Sequence, residues 1–271
     1  MKFIHLTDTH VIAAGQTLFG LDPSERLEAA VNSINAEHGD AEFVVLTGDM
    51  THWGDPAAYT AFRAGIERLR MPVHLMVGNH DEGAGLRLAF PDLARDENGF
   101  VQTVFDTPHA RCILLDTKAQ GTHAGAYCAE RRAWLETQLR NAPGQVLLFM
   151  HHPPLALGVP MMDRIMLQDS EMFHDVLIPH VPRIRHLFFG HLHRPVFGNW
   201  RGISFSCMRG LAHQVALEME GSEAGVIGNL EPPAYGVVLL SDDAVVVHMH
   251  DFTDRSRRFP LSQARRGPGS A

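Results

Sequence analysis

The sequence predicts a layered α/β fold, and three observations carry that prediction. Short apolar runs recur five times, each ending in a polar cluster: KFIHL before TDTH, FVVLT before GDMTH, VHLMV before GNHDE, QVLLFM before HHPP, and HLFF before GHLH. Amphipathic helical patterns lie between several of them, and from about residue 196 strand patterns follow one another without helices. Short runs of bulky or β-branched residues bounded by Gly or Pro are the mark of strands buried on both faces.

The first strand, KFIHL, leads to a helix over 24–38, announced by Pro23 and Ser24 and carrying Leu27, Ala30, Val31 and Ile34 along one face. After the strand FVVLT comes a second helix, DPAAYTAFRAGIERL, then the strand VHLMV. AERRAWLETQLRNA is the third helix, before the strands QVLLFM and HLFF. GISFSCM, AYGVVLL and AVVVHMHDF read as short strands completing a second sheet. Residues 209–236, rich in Gly and Pro, read as an excursion placed to cover a site mouth or meet another subunit. These readings give one domain over 1–260, with 196–236 as a cap or oligomerisation excursion and 261–271 as a disordered tail.

The chain has 271 residues, 45% hydrophobic and 20% charged, ordinary values for a globular protein. With 31 acidic against 23 basic residues the net charge is −8, so no basic field draws it to a nucleic-acid polymer. The start, MKFIHLTDTH, enters a strand at once and reads as a mature terminus, and no run of about 18 apolar residues suggests a membrane span. Cys112, Cys128 and Cys207 are scattered without C-x-x-C spacing, which predicts free thiols and a cytoplasmic protein. Neither a G-x-S-x-G elbow nor a P-loop is present.

The chemistry lies in the polar clusters. Taken singly, Asp8 and His10 could cap a helix, Asp49 and Asn79 could serve turns, and the histidines of GHLH could be packed residues. Ligands in open α/β sheets bind beyond the carboxyl ends of strands, where all five clusters fall. A dinuclear metal site explains them together: two ions about 3.5–4 Å apart need a shared carboxylate and several neutral donors. Asp49 is the natural bridge. Alternating side-chain direction sends His191 and His193 to one ion each, with Gly190 permitting a turn.

With Asp8-Thr9-His10, Gly48-Asp49, Gly78-Asn79-His80-Asp81, His151 and Gly190-His191-Leu192-His193 in this order, the chain resembles the calcineurin-like metallophosphoesterases. Within them it is most similar to class III cyclic nucleotide phosphodiesterases and bimetallic bacterial glycerophosphodiesterases, through LFG at 18–20, HHPPLALGVPMMD at 151–163 and GLAHQV at 210–215. The resemblance implies a four-layer α/β/β/α sandwich, two mixed sheets flanked by helices, with a small C-terminal cap or dimerisation excursion. It implies one metal site of Asp8, His10, Asp49 and His193 and another of Asp49, Asn79, His151 and His191. Asp49, Asn79 and His80 are then the catalytic residues, His80 unmetallated and donating a proton or hydrogen bond. His152 is expected to support the ligands and Asp81 to orient His80 or a loop.

The activity so implied is hydrolysis of small phosphodiesters, cyclic nucleotides or glycerophosphodiesters, by attack of a metal-bound hydroxide. Two divalent ions are expected, of Fe, Mn, Zn or Co. No arginine directly follows His80 to clamp a monoester dianion, which favours diesters, although Arg87, Arg164 or Arg209 could reach the site from elsewhere. Phe19, Leu21, Trp53, Met162 and His213 could shape a lid over the leaving group, and relatives lead one to expect a homo-oligomer. A phosphomonoesterase with the same core is the alternative, followed by a nuclease and a non-catalytic binding module.

Overall fold

The computed structural model describes residues 1–81 and 83–263. Its first half comprises β1 (Lys2–Leu6), α1 (Pro23–Glu37), β2 (Val44–Leu46), α2 (Pro56–Ile66), β3 (Val73–Leu75) and α3 (Gly83–Ala89). There follow β4 (Thr103–Asp106), β5 (Arg111–Leu114), α4 (Ala129–Arg140), β6 (Val146–Phe149), α5 (Pro160–Asp163), α6 (Ser170–Leu177) and β7 (Ile184–Phe189). The last strands are β8 (Val196–Trp200), β9 (Ile203–Cys207), β10 (Gln214–Val215), β11 (Gly228–Asn229), β12 (Tyr235–Leu240) and β13 (Val245–His250).

One sheet has the order β13-β12-β1-β2-β3 and the other β4-β5-β6-β7-β9-β8. β1, β2 and β3 are mutually parallel, as are β5, β6, β7 and β9, while β12, β13, β4 and β8 run antiparallel to their neighbours. Both sheets are therefore mixed.

Alternation of side chains explains the layers. On β1, Ile4 and Leu6 join Leu27, Val31, Ile34, Tyr59 and Phe62 from α1 and α2 in one core. Phe3 points the other way and packs with Phe43, Val45, Phe149, Phe188 and Val238 in a second core between the sheets. There Phe3 stacks on Phe43 with centroids 4.9 Å apart, and Phe149 stacks on Phe188 at the same distance. A third core joins Leu148, Leu187 and Phe189 of the six-stranded sheet to Trp134, Leu135 and Phe173 of α4 and α6. The arrangement is a four-layer α/β/β/α sandwich. α1 starts where Asp22 accepts the Ser24 amide at 2.8 Å, with Pro23 in the first turn.

The C-terminal part differs from the sequence reading. β8 and β9 extend the six-stranded sheet, whereas β12 and β13 complete the five-stranded one. Of the expected excursion 196–236, residues 196–207 thus lie largely in a main sheet, and the β10–β11 ribbon stands apart. Leu261–Gln263 form a 3-10 turn, and residues 264–271 of the expected tail lie outside the described residues. Among the described residues no helix is long and apolar enough to cross a membrane.

Candidate metal centre

Because β1, β2, β3, β6 and β7 are parallel within their sheets, the loops that follow them converge on one edge of the sandwich. Asp8 and His10 follow β1, Asp49 follows β2, Asn79 and His80 follow β3, His151 follows β6, and His191 and His193 follow β7. The β1 and β2 loops are laced together, the Asp8 amide donating to the Gly48 carbonyl at 3.2 Å and the His10 amide to the Asp49 carbonyl at 3.0 Å.

Five of these residues occupy left-handed backbone: Asp8 (φ 53°), His10 (43°), Asp49 (52°), His191 (69°) and His193 (50°). Such angles are uncommon outside glycine and cost of order 1–3 kcal/mol each, so the surrounding packing must impose them. Gly190, expected to permit the turn, is not among the positive-φ glycines; His191 and His193 make it themselves. Gly190 is required instead by close approach, since a Cβ there would clash with Thr7 Oγ1. That hydroxyl donates to Asp8 Oδ2 at 2.6 Å. Gly190→Ala should therefore destabilise the fold by about 1–3 kcal/mol in denaturant unfolding; an unchanged midpoint would show that Thr7 yields freely.

Two donor sets face each other. In the first, one donor atom from each of Asp8, His10, Asp49 and His193 lies within 4.8 Å of the others. Nε2 of His193 is 3.3 Å from Asp8 Oδ1, and Nε2 of His10 is 3.5 Å from Asp49 Oδ2. In the second, Asn79 Oδ1 lies 3.0 Å from His151 Nε2 and 2.9 Å from His191 Nδ1. The same Asp49 Oδ2 is 3.4 Å from His151 Nε2, so one carboxylate oxygen faces both sets.

Electrostatics suit cations. Burial would raise the Asp8 and Asp49 carboxyls, but His193 beside the first and His151 beside the second hold both below the usual carboxylate range. Burial disfavours charge on His151, yet Asp49 and the Thr47 carbonyl carry it up to about 9. Burial likewise opposes charge on His193, which Asp8 nonetheless raises. Burial lowers His10 and His191, leaving neutral donors. Buried carboxylates beside imidazoles and an amide oxygen form a donor set suited to divalent ions, whose binding would compete with the protons held there. These residues fit two metal ions sharing Asp49.

The amide of His80 donates to Asp49 Oδ1 at 2.9 Å, and its Nδ1 lies 2.7 Å from the His52 carbonyl. Asp81 does not hold the His80 side chain. Its carboxylate accepts the amides of Gly78, Met50 and Thr51 and the Tyr59 hydroxyl, tying the β2 and β3 loops together. Burial pushes Asp81 up to about 6 despite these donors. His152 sits among His151 and His191, but Thr117 Oγ1 and the His123 carbonyl engage both its ring nitrogens at 2.8 and 3.1 Å.

A cavity of about 440 Å³ opens over the donor sets, lined also by His80, Met162 and Arg164. It shares His213, Val215 and Val226 with a neighbouring cavity of about 490 Å³, where Phe19 meets His213 edge-on at 4.8 Å. Trp53 lines neither cavity and packs on His52, and Leu21 pairs with Leu18 beside Phe19. Of the three candidate arginines only Arg164 lines the cavity over the donor sets: Arg87 lines a different cavity, and Arg209 pairs with Glu231.

Sequence reasoning missed His52, His123 and Lys118. His123 Nδ1 lies 2.9 Å from Asn79 Nδ2, and Lys118 donates to the Asn79 carbonyl at 3.0 Å. His123 and Lys118 come from irregular backbone, where no periodicity marks them. His52 lies within GDMTH itself, and only its being a histidine beside Asp49 could have drawn attention to it.

Two stacked mixed sheets, helices outside, and paired His/Asp donor sets at the strand ends define a metallophosphoesterase architecture. Residues 1–195 match the model of the calcineurin-like phosphoesterase family, and the chain belongs to that family. It is 45% identical over 256 residues, 93% of both chains, to a probable cyclic nucleotide phosphodiesterase of Rhodopseudomonas palustris. It is 30% identical over 237 residues, 86% of both chains, to a probable glycerophosphodiester phosphodiesterase of Arcobacter nitrofigilis. A dimetal phosphatase from Danio rerio shares the fold with a TM-score of 0.70 at 16% identity, covering 93% of this chain and 96% of that one.

Proposed function

We propose that the protein is a dinuclear-metal phosphodiesterase acting on small phosphodiesters, either cyclic nucleotides or glycerophosphodiesters. Asp8, His10, Asp49 and His193 would hold one divalent ion and Asp49, Asn79, His151 and His191 the other. The observation that carries this reading is the single oxygen, Asp49 Oδ2, at 3.5 Å from His10 Nε2 and 3.4 Å from His151 Nε2. When bound, such ions lower the pKa of water and neutralise charge building on the phosphoryl group.

The chain's own residues supply orientation and proton transfer. Asn79 Nδ2 donates to His123, which turns Oδ1 toward His151 and His191. His80 commits Nδ1–H to the His52 carbonyl, so a proton for a leaving-group oxygen would be carried on Nε2 of the imidazolium form, in which both ring nitrogens hold hydrogen. Arg164 is the one arginine or lysine lining this cavity among the described residues, and one cation suits the single negative charge of a diester. Fe, Mn, Zn or Co suits the mixed His, Asp and Asn donors. The reading includes a cytoplasmic enzyme, in keeping with its free cysteines, and a homo-oligomer meeting through the ribbon region, where Leu217, Met219 and Leu230 are exposed.

The test compares kcat/KM for bis(p-nitrophenyl) phosphate and p-nitrophenyl phosphate on metal-stripped protein reconstituted with Mn²⁺. The diester is expected to be the better substrate, with no turnover before reconstitution. Preference for the monoester would make the protein a phosphomonoesterase, and inactivity on both with metal bound would leave a binding module.

A further inference from the structure

We infer that His52 is a positioning residue that fixes the ring of His10 from outside the metal centre, an inference resting on the proposed role of His10 as a ligand. The outer ring N–H of a ligating histidine is normally satisfied by a carboxylate, carbonyl or water, which sets tautomer and orientation. His151 Nδ1 meets the Thr47 carbonyl at 2.7 Å, and His193 Nδ1 meets the His213 carbonyl at 2.8 Å. Those acceptors belong to the backbone. His10 differs, because its Nδ1 lies 3.0 Å from Nδ1 of His52, a half-buried side chain.

Two facing imidazole nitrogens bond only when one carries hydrogen and the other does not. His10 turns Nε2 toward His193 at 3.0 Å and toward Asp49 at 3.5 Å. A neutral imidazole offering its lone pair through Nε2 carries its hydrogen on Nδ1, so His10 donates and His52 accepts. His52 is itself held firmly. Its amide donates to the Val11 carbonyl at 3.1 Å, and its ring stacks on His80 with centroids 4.8 Å apart and 21° between planes. Trp53 closes the outer side edge-on at 4.8 Å. Without the His52 ring, the Nδ1–H of His10 loses its acceptor and the imidazole gains room to rotate. The Asn79, His151 and His191 set has no contact with His52 and keeps its own supports.

The test titrates metal-stripped wild type, His52→Ala and His52→Asn with Mn²⁺ alone, counting bound ions by equilibrium dialysis and elemental analysis, with melting curves of the metal-free proteins as the control for folding. His52→Ala should weaken one of two ions by about 10–100-fold and leave the other unchanged. His52→Asn, whose amide oxygen can accept from His10, should recover most of that loss. Wild-type affinities in His52→Ala, equal weakening of both ions, or an Asn variant as weak as the Ala variant would overturn the inference. A wild type binding fewer than two ions would overturn the ligand assignment itself, and the role of His52 with it.

Discussion

Asp49→Ala is expected to lose both ions to dialysis and to lower kcat/KM for a diester by at least on the order of 10²–10³-fold, the scale on which removal of one preorganised electrostatic element is felt. The reason is geometric. Oδ2 faces His10 and His151 from the two donor sets, and Oδ1 accepts the His80 amide, so on the proposed assignment one side chain would serve both ions and the proton donor. Elemental analysis after dialysis decides the matter, since two ions per chain in the variant would remove Asp49 from the bridging position. Asp49→Asn separates charge from shape: it keeps the size of the side chain, and if the bridge is electrostatic it should bind metal nearly as poorly.

His80→Ala should behave in the opposite way, retaining both ions while kcat falls by roughly 10²–10⁴-fold. The loss should depend on the leaving group. An alkoxide, as released from a ribose or glycerol diester, needs a proton as it departs, whereas p-nitrophenolate hardly does. A cyclic nucleotide or glycerophosphodiester should therefore suffer far more than bis(p-nitrophenyl) phosphate. Equal losses on both substrates would argue that His80 merely shapes the cavity, and unchanged turnover would remove it from the reaction.

Much of this architecture was legible in the chain because two periodicities were clean. The helix expected over 24–38 runs Pro23–Glu37, and AERRAWLETQLRNA forms Ala129–Arg140. The five strand ends were legible because each apolar run stops abruptly at a ligand-type residue, and the structure brings Asp8, His10, Asp49, Asn79, His151, His191 and His193 to one edge. What failed turned on tertiary contacts of individual side chains and short strands. The hairpin of β4 and β5 was not foreseen, although Asp106, Thr107 and Pro108 are turn residues, because strands of four residues carry too little alternation to be marked. The reason given for Gly190 was wrong because close approach and backbone angle are indistinguishable in a sequence. Arg87 and Arg209 do not line the cavity over the donor sets, and Trp53 supports His52 rather than a lid, because side-chain reach depends on packing that no spacing encodes.

The two donor sets straddle a seam. Asp8, His10, Asp49 and Asn79 leave the five-stranded sheet, while His151, His191 and His193 leave the six-stranded one. On the proposed ligand assignment each ion is a rivet through both halves of the sandwich, drawing at least one ligand from either sheet. Loading and cohesion then become linked equilibria. Free metal at a hundred times its dissociation constant adds about 2.7 kcal/mol against any unfolding that parts the sheets. Metal supply in the cell would thereby govern how long the protein survives as well as how fast it turns over.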